Sequence, residues 1–175
     1  MDEIGLVRGT IRLVPHQASW KGIFEAEREK LAFALADSIL KIEHIGSTAI
    51  PGIAAKPIID MAITLVQFED GLDCVAALED YGYLYKGENG IPGRHYFRTD
   101  AEIVKFHIHM FAQGNPKLRD HQLFRDYLIA QPEEAQAYHE LKIKLSQQFA
   151  TDRGAYTASK NDFISDILTK ARASD

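Results

Sequence analysis

The chain has 175 residues, 46% of them hydrophobic and 26% charged. Those values exclude a disordered, collagen-like or low-complexity protein and leave room for one domain, residues 1–175, with a sizeable core. Lysine and arginine number 20 against 25 aspartates and glutamates, a net charge of −5, so the cationic stripe that long DNA or RNA requires is lacking, while a nucleotide or an RNA end stays open as a partner.

No apolar run approaches the roughly 18 residues of a membrane span, and Met1 to Arg12 lacks the apolar core of a signal peptide. The expected compartment is the cytoplasm, with no membrane partner. The single cysteine, Cys74, has no partner for an internal disulfide and reads as helix packing.

Trp20, Ile23, Phe24, Leu31, Ala34 and Leu35 recur at three- and four-residue steps, which predicts an amphipathic helix over Trp20 to Leu40. Lys41 to Gly46 follows as a short strand, and Gly46-Ser47-Thr48-Ala49-Ile50-Pro51-Gly52 as a loop. The next strand is Pro57 to Val66, with Ile59, Met61, Ile63 and Leu65 on an apolar face and Asp60 on the other.

Phe68 to Tyr81 suits a helix ended by Gly82. Tyr83 to Lys86 and Tyr96 to Arg98 suit antiparallel strands around the Gly87 to Gly93 turns. From Val104 the alternation resumes, Val104, Phe106, Ile108 and Met110 facing one way and Lys105, His107, His109 and Phe111 the other. Helices follow at Leu118 to Ala130 and from Pro132, where Tyr138, Leu141, Leu145 and Phe149 form the buried stripe. After a break at Thr151 to Gly154, Thr157 is the expected cap of a last helix carrying Phe163, Ile164, Ile167, Leu168 and Ala171 inward.

The chemistry concentrates in two places. A glycine-serine turn after a strand exposes N–H groups and a hydroxyl that hold phosphate oxygens, and Asp60 on the next strand can hold the accompanying Mg²⁺. A plain capping role for Ser47 or Thr48 and a structural hydrogen bond for Asp60 are the alternatives. His107 and His109, two apart on a strand, point the same way roughly 6–7 Å apart, a spacing at which two imidazoles can chelate one ion. If their strand lies beside that of Asp60, the set favours Zn²⁺, Fe²⁺ or Mn²⁺ over Mg²⁺. Otherwise they hydrogen-bond to phosphate or backbone.

Lys56 and Lys160 are candidate cations for a polyphosphate, Tyr156 and Lys160 share a helix face, and Arg119, Asp120, Arg125 and Asp126 can pair across turns. His44 can orient the loop through a side-chain hydrogen bond.

The run His44-Ile45-Gly46-Ser47-Thr48-Ala49-Ile50-Pro51-Gly52-Ile53-Ala54-Ala55-Lys56-Pro57-Ile58-Ile59-Asp60 resembles the signature of the GrpB family, a branch of the nucleotidyltransferase superfamily. Leu13-Val14-Pro15-His16 with Trp20, the His107-Ile108-His109-Met110-Phe111 strand, Leu118-Arg119-Asp120-His121, and Tyr156 with Lys160 resemble further motifs of that family, so the similarity spans nearly the whole chain.

The resemblance implies an α/β (α+β) fold: a nucleotidyltransferase-like, mixed, mainly antiparallel sheet flanked by helices, with helices at the C-terminus. It implies that Gly46 and Ser47 grip a nucleoside triphosphate and that a divalent metal, Mg²⁺ first, sits on Asp60. Thr48, Lys56 and Lys160 are the further candidate contacts to the nucleotide, and Ser47 and Asp60 the candidate catalytic residues. One departure matters: the superfamily's second acid, two residues after the first, is Ala62 here, so a two-Mg²⁺ centre lacks carboxylates.

The expected activity is nucleotidyl or phosphoryl transfer on a nucleotide or phosphate ester. The competing readings are a binding module without turnover and a metalloenzyme, such as a hydrolase, built on Asp60, His107 and His109. Oligomeric state is left open.

Overall fold

A computed structural model describes residues 4–174. Its centre is a five-stranded sheet of β2 (Lys41–Ile45), β3 (Ile59–Leu65), β7 (Phe106–Ala112), β5 (Arg94–Thr99) and β4 (Tyr83–Tyr85), in that spatial order. β3 and β7 run parallel and every other pair antiparallel, the mixed, mostly antiparallel sheet that was expected. A two-stranded ribbon joins β1 (Leu6–Val7) to β6 (Ile103–Val104).

Strict alternation divides the sheet into two faces. Ile59, Met61, Ile63 and Leu65 of β3 join Ile108 and Met110 of β7 and Phe97 of β5 in one fully buried cluster. Helix α1 (Ser19–Leu35) lays Trp20, Phe24, Leu31 and Leu35 on it; at about 25 cal/mol per Å², side chains of this size are the main source of stability. The opposite face carries Asp60, His107 and His109. Part of that face is covered by α4 (Pro116–Ala130), where Leu118 packs on Ile45, Ala62 and Phe111.

Helices α4, α5 (Pro132–Gln148) and α7 (Asn161–Ser174) meet around Leu128, Ala135, Tyr138 and Ile167. Ile50 and Ile53 from the glycine-serine loop insert into the same cluster. The C-terminal helices therefore fix the loop's position by burying its apolar residues.

Four boundaries differ from expectation. The first helix stops at Leu35, before Leu40, because the Leu40 N–H donates to the Thr64 carbonyl at 2.7 Å and is already part of the sheet. The helix expected over Phe68 to Tyr81 is split into α2 (Asp70–Asp73) and α3 (Val75–Asp80). Gly71 lies there against the His95 ring, and a Cβ would approach the ring carbon to 2.3 Å.

Val104 leaves the β7 alternation and packs with Leu6 and Ile58 instead. The Thr99 hydroxyl accepts the Phe106 N–H at 3.0 Å, replacing a ladder bond and ending the strand. Thr157, the expected cap of the last helix, lies inside a separate short helix, α6 (Arg153–Ala158), which is itself capped by Asp152, whose carboxylate accepts the Ala155 N–H at 2.9 Å; the last helix, α7, begins at Asn161.

Candidate functional site

Because β3 and β7 are parallel with Asp60 opposite His107 and Ala62 opposite His109, the period of two sends all three polar side chains to one face. Asp60 Oδ1 lies 3.0 Å from His107 Nδ1 and 3.3 Å from His109 Nε2. One donor atom from each residue falls within 4.8 Å of the others. Burial would raise the Asp60 carboxyl, but hydrogen bonds from both imidazoles outweigh it and hold the group well below the ordinary carboxylate range.

Gly46 closes the site from the loop side. Its φ is +71°, and a Cβ there would stand 2.8 Å from Asp60 Oδ2, so the residue admits close backbone approach to the acid. The Ser47 hydroxyl lies against the phenol of Tyr138. Thr48 is buried and turned the other way, its hydroxyl 2.8 Å from His44 Nε2. The His44 ring stacks on Phe24 and burial lowers its pKa to about 4, so it orients the loop as a neutral ring.

Lys56 and Lys160 converge on Tyr156, their Nζ atoms 4.7 and 4.4 Å from its ring centre. Burial, reinforced by Arg153 and Lys160, lowers Lys56 to about 8, and burial lowers Lys160 as well. The Asp60 charge acts on both lysines in the opposite sense, raising them.

Arg125 belongs elsewhere. It bonds the His44 carbonyl at 3.0 Å and Asp126 at 2.7 Å, and approaches Glu43 at 3.5 Å. Asp120 pairs with Arg172. Cys74 is buried, with its thiol pushed up to about 11 by burial and neighbouring acids, and is a packing residue. A cavity of about 890 Å³ lies on the far side of the loop between α1 and β2, where Thr48 rather than Asp60 lines it.

Three neighbours of the cluster escaped the sequence. Arg94 donates to His109 Nδ1 at 3.2 Å while its other nitrogens hold the Glu88 and Asn89 carbonyls. Tyr96, pushed by burial up to about 12, stands with its ring centre 5.3 Å from that of His109. His121 of α4 lies 5.3 Å behind His109, and burial lowers its pKa to about 4. For Arg94 and Tyr96 a usable signal existed, since the alternation Arg94, Tyr96, Arg98 extends a strand into what resembled a turn.

One carboxylate and two imidazoles make an N₂O donor set, which suits Zn²⁺, Mn²⁺ or Fe²⁺. A pair of Mg²⁺ ions does not fit, because hard cations need several oxygens. Ala62, at the expected second-acid position, is sealed at 0% exposure among Ile45, Phe111 and Leu118. Glu43 is engaged by Gln122 at 2.7 Å and Lys41 at 2.9 Å.

Known proteins bear on these residues. A family model described as GrpB protein matches residues 10–170. The UPF0157 protein YqkA of Bacillus subtilis is 40% identical over 154 residues, which cover 88% of this chain and 45% of YqkA; the chain thus spans about half the length of that relative. The glutamate-rich protein GrpB of Alkalihalophilus pseudofirmus is 33% identical, with 95% and 99% of the two chains covered.

The crystal structure of the conserved protein GrpB from Enterococcus faecalis superposes with a TM-score of 0.86 at 35% identity, covering 91% of this chain and 96% of that one. More distantly, a dephospho-CoA kinase of Mycolicibacterium paratuberculosis is 27% identical over 95% of this chain and 47% of its own length. Among the described residues no helix is long and apolar enough to cross a membrane.

Proposed function

The chain belongs to the GrpB family, and from that premise we propose that it binds a nucleotide or related phosphate ester beside a divalent metal ion and transfers its nucleotidyl or phosphoryl group. The observation that carries this reading is the convergence of Asp60, His107 and His109 within 4.8 Å on one sheet face. These three would hold Zn²⁺, Mn²⁺ or Fe²⁺, which supplies Lewis acidity toward a phosphoryl oxygen.

The remaining steps belong to the chain's own groups. Lys56 and Lys160 bind the phosphate and offset the negative charge that develops in the transition state. Their lowered pKa values accord with that role, because a bound anion favours the protonated form. The Ser47 hydroxyl, set against Tyr138, orients an oxygen of the ligand. No side-chain nucleophile is required, since in such transfers the acceptor attacks directly. The distant dephospho-CoA kinase likeness supports the phosphate-ester class, and the nucleotidyltransferase superfamily resemblance supports the transfer.

A second reading, a metal-free phosphate-binding module without turnover, draws on Arg94. An imidazole that gives Nε2 to an ion carries its proton on Nδ1 and donates it to an acceptor. The nitrogen at that place on His109 faces a guanidinium, which has no acceptor. Metal binding therefore requires Arg94 to swing aside.

A panel of nucleoside triphosphates and phosphate esters, assayed with Zn²⁺, Mn²⁺, Fe²⁺ and Mg²⁺, separates the readings. Metal-dependent release of phosphate or pyrophosphate that disappears in Asp60→Asn supports transfer. Tight nucleotide binding with no turnover under any metal establishes the binding module. If no phosphorylated compound binds, both readings are overturned.

A further inference from the structure

A second hollow, of about 250 Å³, opens beside the cluster and shares His107 as part of its wall. Five cationic side chains line it: Arg8 beside β1, Lys56 before β3, Lys86 after β4, Arg98 on β5 and Arg153 at the start of α6. Among the described residues no acidic side chain lines it. In a chain of net charge −5 this is a local inversion of sign, drawn from five separate segments that the fold alone brings together.

None of the five is ion-paired with a carboxylate among the described residues; Arg98 spends one nitrogen on the Thr99 carbonyl at 2.9 Å. Like charges gathered in a concave wall repel one another and concentrate a positive potential where field lines are focused. The mutual strain is visible at Lys56, which Arg153 and Lys160 help to depress after burial.

From this we infer that the hollow is a subsite for a phosphate chain, a diphosphate or triphosphate, whose inner end reaches the His107 side of the cluster. This rests on the phosphate-ester reading above and deepens it by naming the substrate class and by placing the anion in the Arg8, Lys56, Lys86, Arg98 and Arg153 wall instead of against the Gly46-Ser47 loop. Two arguments select a chain over a single phosphate. A monoester dianion is matched by two of the five cations and leaves the others repelling, whereas a polyphosphate matches most of them. The volume lies below the about 300–1,000 Å³ of pockets that enclose a whole drug-sized ligand, so the hollow takes the charged portion of the molecule and leaves the remainder outside.

The test is calorimetric titration of the full chain with orthophosphate, pyrophosphate, tripolyphosphate and ATP, with and without Zn²⁺, in wild type, Lys56→Gln, Arg98→Gln and the double variant Lys86→Gln, Arg153→Gln. The last pair is exposed, so it reports on binding even if a more buried substitution perturbs folding.

The expected result is pyrophosphate and tripolyphosphate binding at least ten-fold tighter than orthophosphate, weakened at least ten-fold in each variant and falling steeply with salt. ATP binding undiminished in all three variants but lost in Lys160→Gln or Ser47→Ala would overturn the subsite and leave the phosphate-ester reading standing. Equal affinity for orthophosphate and pyrophosphate would overturn the polyphosphate assignment. Absence of binding by every phosphorylated probe would remove both.

Discussion

Asp60 and His107 are register partners on adjacent parallel strands, and their side chains meet at 3.0 Å between Oδ1 and Nδ1. That contact, repeated two residues along by His109 at 3.3 Å, gathers one carboxylate and two imidazoles at a single point of the strand pairing. Asp60→Asn removes the anion while keeping the shape. It should lower affinity for a divalent ion by at least about 10–100-fold, the range associated with lesser, outer-shell losses. Competition with a chromogenic chelator measures it.

Gly46 tests how tightly the loop abuts the acid. In Gly46→Ala the new Cβ combines a φ of +71° with a 2.8 Å approach to Asp60 Oδ2. The expected cost is upwards of about 1 kcal/mol in chemical denaturation, accompanied by weaker metal binding because Asp60 must shift. A variant as stable as wild type would show that the loop stands off from Asp60.

Arg94 faces His109 Nδ1 at 3.2 Å and offers it no acceptor. Arg94→Gln substitutes a carbonyl that can accept the Nδ1 proton for a donor that cannot. Zn²⁺ affinity should rise several-fold in this variant, read by the same chelator competition. An unchanged or reduced affinity would mean that Arg94 does not oppose the ion.

Ala62 is the position where a second acid was expected, and the fold has filled it with hydrocarbon contacts. Ala62→Asp should therefore cost several kcal/mol, the penalty for an unpaired carboxyl in a dry cluster, with no gain in turnover. Thermal denaturation and the phosphate-release assay check the two halves of that outcome.

Lys142 gives a pH signature of its own. It is 2% exposed, donates to the Ala54 carbonyl and lies over the Tyr138 ring. Burial lowers it from 10.5 to about 7. Between those values the unfolded chain binds the extra proton, so stability rises with pH through this window. The slope contributed is at most about 1.4 kcal/mol per pH unit. Lys142→Met should flatten that rise in urea denaturation between pH 7 and 10.

Much of this was readable in the linear chain, and the reason is periodicity. Ile59, Met61, Ile63 and Leu65 alternate with Asp60, and Ile108 and Met110 with His107 and His109, so the faces follow from the pleat alone. The glycine-serine loop was marked by its composition. What escaped depended on tertiary partners. Arg94 looks like the end of a turn until Phe111 is found opposite it. Ala62 looks like a missing acid until Leu118 of α4 covers it. The cations Arg8, Lys86, Arg98 and Arg153 lie in four unrelated segments and become one wall only after folding. Boundaries failed where a distant group took a backbone donor, as Thr64 does for Leu40.

The most direct measurement is metal content. Chelator-stripped protein, reloaded with Zn²⁺ and desalted, should retain one equivalent per chain, and His107→Ala with His109→Ala should retain none while melting as a folded protein. Wild-type protein that holds no ion, or a double variant that holds as much as wild type, would contradict the metal centre at Asp60.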